Sequence, residues 1–298
     1  MAETLATASF NGRSMVAPLR RVLVCSPRTA GWNRADKAAR WKDLGFRHAP
    51  NFETAQAQHD VLCGQLRASG AEVIELPPAE QLSLDAVYTH DSSLTVDTGI
   101  IALRPGKANR IAEGAHHSAS CLNLGIPTAG EVFPPGTTEA GDMVFLDSKT
   151  LLIGHGHRTN LAGIQQMREL LAPHGVEVLK APLPYGAGPS ECLHLMSLIS
   201  LLDEHTALVD LPWLAVETVE LLKYRGFKFI EIDSAERETL ACNVLALGKN
   251  RLLAIEENHR TNASLRQAGY DVRTFAGSEL CINGGGGPTC LTRPLLRA

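Results

Sequence analysis

Five times along this chain an apolar, strand-like run is followed by an amphipathic helical stretch, a glycine-bearing turn and a second strand-like run. Residues 21–27 lead to 52–69 and then 70–77; residues 93–103 to 113–124 and 125–132; residues 143–154 to 161–173 and 174–182. Residues 198–210 lead to 216–224 and 225–233, and residues 242–255 to 261–268 and 269–275. The helical stretches carry apolar residues three and four apart, as in Leu161, Ile164, Met167, Leu170 and Leu171, which is the spacing of one buried helix face. Each ends at or just before a glycine, the residue that tolerates the left-handed geometry of a helix terminus. Repetition at roughly 50-residue spacing is the mark of like units built into one architecture. An ordinary doubly wound sheet also alternates strand and helix. Two or three strands per helix, five units and no long insertion favour a closed α/β ring, a five-bladed β/α propeller spanning residues 1–298 as a single domain. In such a ring, strand ends from several units converge on one cleft.

Composition removes several functions. The 298 residues are 44% apolar, ample for a packed core, and the net charge of −4 comes with no basic stripe, against nucleic-acid binding. No apolar run spans a bilayer. Residues 1–16 lack the apolar segment of a secretory signal, so a cytoplasmic location is expected. Seven cysteines at 25, 63, 121, 192, 242, 281 and 290 are odd in number and form no CxxC, so most are expected to be reduced, buried, small apolar residues.

Four polar clusters interrupt the apolar text. In 84–91, Asp85 and Asp91 lie six apart across a strand-like run, which would put both on one face; the alternative is a pair of solvated strand-end acids. In 138–142, Glu139 and Asp142 flank a glycine in a turn entering a strand, or form a plain acidic turn. In 189–197, His194 sits inside an apolar run that begins a strand, either as a satisfied core histidine or as an acid–base group. The fourth is Asn283 to Pro294, in which Gly284, Gly285, Gly286 and Gly287 precede Pro288, Thr289 and Cys290. A glycine run lets backbone pass very close to another group. It lacks the GK[ST] ending of a phosphate loop. A cysteine just after it can be held exposed at a cleft, as a nucleophile must be. The pairs His116–His117 and His155–His157 have neither HExxH nor CxxC…H spacing, and adjacent histidines of a strand point to opposite faces, so no metal is expected.

These clusters, in this order, resemble the guanidino-modifying enzymes, which include arginine deiminases, amidinotransferases and dimethylarginine dimethylaminohydrolases. The resemblance runs from Pro18 to Leu296, and length and motif order are most similar to the bacterial dimethylaminohydrolases. It implies the pentein fold, a five-bladed β/α propeller, and a hydrolase acting on C–N bonds in linear amidines. The substrate implied is an N-methylated arginine, converted to citrulline and methylamine or dimethylamine with no cofactor. By the same resemblance Cys290 is the nucleophile, His194 the general acid and base, and Glu139 the carboxylate that orients it and engages the guanidinium. Asp91 would pair with the guanidinium, Asp85 hold the substrate amino group, Arg104 and Arg158 clamp its carboxylate, and Asp142 give structural support. Met196 stands where arginine deiminases carry a guanidinium-binding Asp, which points away from plain arginine. His90 stands where they carry Arg and dimethylaminohydrolases Glu, which leaves the substrate's far end open. Amidinotransfer, arginine deimination and a non-catalytic binding protein of the same fold are the rival functions, and pairing of edge strands into a homodimer is compatible with all of them.

Overall fold

The computed structural model describes residues 10–189 and 193–298. Ser190, Glu191 and Cys192 of the third polar cluster, and the first part of the N-terminal segment, lie outside the described residues.

The strands form five three-stranded sheets. The second comprises β3 (Ser93–Val96), β4 (Gly99–Ala102) and β5 (Thr128–Glu131); the third β6 (Met143–Asp147), β7 (Thr150–His155) and β8 (Glu177–Pro182). The fourth comprises β9 (Ile199–Leu201), β10 (Thr206–Val209) and β11 (Lys228–Glu231); the fifth β12 (Leu245–Gly248), β13 (Arg251–Ile255) and β14 (Asp271–Phe275). In each, an antiparallel hairpin is followed by a helical crossover to a parallel third strand. The crossovers are α3 (Glu113–Asn123), α4 (Leu161–Leu171), α5 (Val216–Tyr224) and α6 (His259–Gln267). The first sheet pairs β1 (Leu19–Val24) in parallel with β2 (Glu72–Glu75) through α2 (Phe52–Ala68), and its innermost strand comes from the other end of the chain. That strand, β15 (Arg293–Arg297), runs antiparallel to β1, with Val22 opposite Pro294 and Leu23 opposite Arg293.

The result is a five-bladed propeller whose ends are tied by β1 and β15. Its core is a ring of four apolar clusters wedged between blades. One joins the first blade to the second and fifth, and the others join second to third, third to fourth and fourth to fifth. Inner strands are covered on both faces, so β4, β12 and β6 up to Leu146 read as continuous apolar text. The outer strands β2, β5 and β11 have exposed ends carrying Glu72, Glu75, Glu131, Lys228 and Glu231, charges that discourage further strand pairing.

The glycine punctuation has a uniform cause. Gly70, Gly125, Gly175, Gly226 and Gly269 follow the five crossover helices at φ between 66° and 96°. A Cβ at any of them would meet nothing within 4 Å, so backbone conformation rather than space selects glycine there.

Three expectations change. Residues 25–51, between β1 and α2, are a long insertion; they carry the short helix α1 (Ala35–Ala38) and reach the functional cleft. Residues 84–91 are not a strand but a 3-10 turn at Leu84–Val87 followed by further turns. The segment is buried on all sides and pinned by the Trp32 indole N–H donating to the Leu84 carbonyl at 3.0 Å, so burial there carries no strand periodicity. His116 and His117 lie on α3, where successive residues are set apart by helical rotation rather than strand alternation.

Leu295 is fully buried at the seam between β15 and β1. Leu295→Ala is expected to lower stability to urea unfolding by about 2–5 kcal/mol. Leu122→Ala, at a position 62% exposed on α3, should stay within about 0.5 kcal/mol of wild type.

Candidate active site

The polar clusters meet because they occupy equivalent places in the repeat, in the turns that lead into the innermost strand of each blade. Asp91 precedes β3, Glu139 precedes β6, His194 precedes β9 and Cys290 precedes β15. Asp91, Arg158, His194 and Cys290 line one cavity of about 430 Å³, together with Asp85, Tyr88 and the glycine run at 284–286. Lys42, Asp43, Leu44 and Gly45 of the long insertion form another part of its wall.

Glu139 lies beneath this cavity, fully buried. Its Oε2 is 2.7 Å from His194 Nε2, its Oε1 accepts the Gly106 N–H at 2.9 Å, and Arg158 Nη1 approaches at 3.3 Å. Burial works to raise its pKa. The hydrogen bond from His194, then the charges of His194, Arg158 and Arg110, outweigh burial and hold the carboxyl well below its usual range. A carboxylate held in its charged form by these partners is fit to orient a histidine and stabilise its protonated form.

Asp91 is equally enclosed. Its Oδ2 accepts Arg110 Nη1 at 2.6 Å and its Oδ1 the Gly141 N–H at 3.1 Å. Arg110, on the loop after β4, also donates to the Tyr88 carbonyl and to Glu113. Burial acts to depress that guanidinium, and the charges of Glu113 and Asp91 overcome it, so it stays charged. Asp85 accepts Lys107 Nζ and Asn109 Nδ2, both at 2.7 Å.

Cys290 is partly exposed, whereas the other described cysteines, at 25, 63, 121, 242 and 281, are buried. Burial pushes the Cys63 thiol up to about 12 and the Cys121 thiol to about 11, as expected of inert core cysteines. The Cys290 sulfur accepts a hydrogen bond from Asn243 Nδ2 at 3.1 Å, and Asn243 Oδ1 accepts the Thr289 N–H at 3.0 Å. Asn243 precedes β12, so it is the contribution of the fifth blade at the same place in the repeat.

The glycines explain how the clusters fit together. A Cβ at Gly141 would lie 2.5 Å from His194 Nδ1 and 2.8 Å from Asp91 Oδ1. A Cβ at Gly286 would lie 2.5 Å from the Tyr88 ring, and one at Gly287 would lie 2.7 Å from the Asn243 amide. The run is a close backbone approach that seats Cys290 against its neighbours.

Other expectations are redirected. Arg104 does not line the cavity; its Nη1 donates to the Gly136 carbonyl at 3.4 Å, and Lys107 and Arg110 on the same loop take the cavity wall. Arg158 lines the cavity but also contacts Glu139. Met196 is buried in the apolar cluster between the third and fourth blades and does not line this cavity. His90 is likewise outside the cavity. Its Nδ1 meets the Thr292 carbonyl at 2.9 Å and its backbone N–H donates to the Cys290 carbonyl at 3.0 Å. Asp142 supports the histidine turn by accepting the Leu195 N–H at 2.9 Å. Among the described residues, Asp91, Glu139 and His194 form the one group able to offer three metal ligands within 4.8 Å of one another. Arg110 and Arg158 already bring positive charge to both carboxylates, a poor setting for a metal cation. His117 is buried against the Ser93 hydroxyl and His116 meets the Pro77 carbonyl, so the pair does not converge. No helix among the described residues is long and apolar enough to cross a membrane.

The chain is similar to several known proteins. The family model for arginine deiminase matches residues 82–212 and 211–297. The N(G),N(G)-dimethylarginine dimethylaminohydrolase of Streptomyces coelicolor is 29% identical over 243 residues, covering 80% of this chain and 84% of that one. An uncharacterized protein of Aeropyrum pernix is 30% identical over 262 residues, covering 85% and 89%. The crystal structure of a dimethylarginine dimethylaminohydrolase adduct with 4-chloro-2-hydroxymethylpyridine superimposes with a TM-score of 0.72 at 25% identity, over 94% of this chain and all of that one.

Gly141→Ala is expected to leave the far-ultraviolet circular dichroism unchanged while cutting turnover about 100-fold, because the added methyl displaces His194 and Asp91 together. Full activity in this variant would show that the close approach at Gly141 is not needed. A second outcome concerns pH. Burial raises the Asp142 carboxyl from 3.8 to about 6, offset in part by the His194 charge and by the Thr159 and Leu195 hydrogen bonds. A folded pKa above the unfolded one means that its stabilising contribution is full below about 3.8 and is lost as pH rises through about 6. Urea unfolding of wild type and Asp142→Asn should therefore diverge by on the order of 3 kcal/mol between about pH 4 and pH 7, with wild type losing ground.

Proposed function

The chain belongs to the arginine deiminase family, and from that premise we propose that it is a hydrolase of guanidino compounds in which Cys290 is the nucleophile. The observation that carries this reading is the placement of Cys290, His194 and Asp91 on one cavity, with Glu139 bound to the histidine beneath.

A guanidinium carbon is a poor electrophile because its charge is delocalised. Asp91, on the cavity wall, engages its N–H groups by charge-assisted hydrogen bonds and holds the carbon in line with the sulfur, while Glu139 acts from beneath by orienting His194. The Cys290 thiolate adds to that carbon. His194 transfers a proton to the departing nitrogen, the C–N bond breaks and the amine leaves. The carbon is then bound to sulfur as a thiouronium. Water loses a proton to His194 and adds to the same carbon, and the C–S bond breaks to return the thiolate and a ureido product. The balance is one guanidino group and one water converted to one ureido group and one amine.

The lining combines cations, Lys42, Lys107, Arg110 and Arg158, with the carboxylates of Asp43, Asp85 and Asp91. That mixture suits a zwitterionic amino acid bearing a guanidinium, with Asp85 placed for an amino group and the cations for a carboxylate. The substrate we infer is an N-methylated arginine, by analogy with the Streptomyces coelicolor relative.

A panel of arginine, N-methylated arginines, agmatine and simple guanidines distinguishes the outcomes. Methylamine or dimethylamine appearing with citrulline is expected. Ammonia from arginine at higher kcat/KM makes the enzyme a deiminase. Formation of guanidinoacetate from arginine and glycine makes it an amidinotransferase. Cys290→Ser should cost at least about 10³-fold in turnover and His194→Ala about 10²–10⁴-fold. A serine variant near wild-type kcat would falsify the mechanism.

A further inference from the structure

A second cavity lies on the propeller axis, apart from the active site. Every blade contributes to it, with Leu94 from β3, Phe145 from β6, Ser200 from β9, Ala246 from β12, and Arg293 and Arg297 from β15. It is about 20 Å³, room for one species the size of a water molecule or a monatomic ion. Its lining contains two arginines and no Asp or Glu.

Both arginines are deeply enclosed, at 3% and 4% relative exposure. Among the described residues neither has a carboxylate within salt-bridge distance. Arg293 Nη2 donates to the His90 carbonyl, and Arg297 Nη1 to the carbonyls of Ala17 at 2.7 Å and Ala246 at 2.9 Å. The Nε–H of each has no hydrogen-bond partner, and neither does the hydroxyl of Thr289, a lining residue only 3% exposed. Three buried donors without acceptors, two of them on unpaired cations, are a costly arrangement when empty. Burial pushes the guanidinium of Arg293 down to about 9, opposed in part by the charge of Asp91, and that of Arg297 down to about 10.

We propose that this axial cavity binds a single monatomic anion of the halide class, held by Arg293, Arg297 and Thr289. Its position ties it to the nucleophile. Thr289 immediately precedes Cys290 and donates its N–H to the same Asn243 amide that donates to the sulfur. Arg293 holds the carbonyl of His90, whose N–H donates to the Cys290 carbonyl. An ion here braces both sides of the Cys290 turn from below.

The test compares sodium chloride, sodium bromide and sodium gluconate at constant ionic strength. Melting temperature should rise saturably with either halide, by roughly 2–4 °C at tenfold excess over Kd, and not with gluconate. Crystals soaked in bromide should show an anomalous peak between Arg293 and Arg297. Thr289→Val keeps the shape and removes one donor, and should weaken the halide response about tenfold. Arg297→Met should abolish it if the variant folds. Identical melting curves in halide and gluconate, with no anomalous peak, mean that the cavity holds water only and overturn the proposal. A wild-type halide response in Thr289→Val does so as well.

Discussion

The antiparallel pairing of β15 with β1 is the constraint on which the rest of this structure depends. The other four blades are each made from consecutive sequence, so their hairpins and crossovers are local. The first blade exists only when the last strand returns to the first. That pairing closes the ring of interblade clusters and fixes the turn carrying Cys290, three residues upstream of β15. Cys290 on an open chain end would depend on a flexible tail. Here its carbonyl is held by His90 of the second blade and its sulfur by Asn243 of the fifth. Closure of the fold and assembly of the site are one event.

The site then has an electrostatic problem to solve. Two buried carboxylates beside a cysteine would oppose thiolate formation and resist burial themselves. Each has a guanidinium of its own, Arg110 for Asp91 and Arg158 for Glu139. Their orientation is therefore fixed before any ligand arrives, which is what preorganised stabilisation requires. Both carboxylates also accept backbone N–H groups, from Gly141 and Gly106, so their remaining lone pairs have defined directions.

The fold was legible because two physical signals repeat five times. Residues 161–171 advertise one apolar helix face, and the glycines at 70, 125, 175, 226 and 269 mark helix ends that no other residue enters without strain. Local signals failed where tertiary contacts decide. Asp85 and Asp91 look strand-spaced, yet a 3-10 turn delivers Asp85 and the turns that follow it deliver Asp91, because Arg110 and Trp32 hold that segment from outside its own sequence. Arg104 and Arg110 lie on one loop, and only the fold tells which enters the cavity. Arg110 did carry a hint, since Glu113 is one helical turn away. β15 was hidden because its partner is some 270 residues distant in sequence, beyond any local pattern.

Asn243 is the instructive omission. It sits in Ala-Cys-Asn-Val-Leu, where a single polar residue among apolar neighbours reads as a capped strand end. The repeat itself assigns it. Asp91, Glu139, His194 and Cys290 each occupy the turn entering an innermost strand, and the one blade without a candidate was the fifth, whose innermost strand begins at Leu245. A pseudo-fivefold ring brings five such turns to one end of its axis, so a polar residue in the fifth must face the other four. Gly287 confirms the demand for space, since a Cβ there would strike the Asn243 amide. The glycine run and Asn243 are therefore two halves of one device. The backbone comes close enough for an amide to reach the sulfur, and that separates Cys290 from the described cysteines whose thiols are sealed in the core.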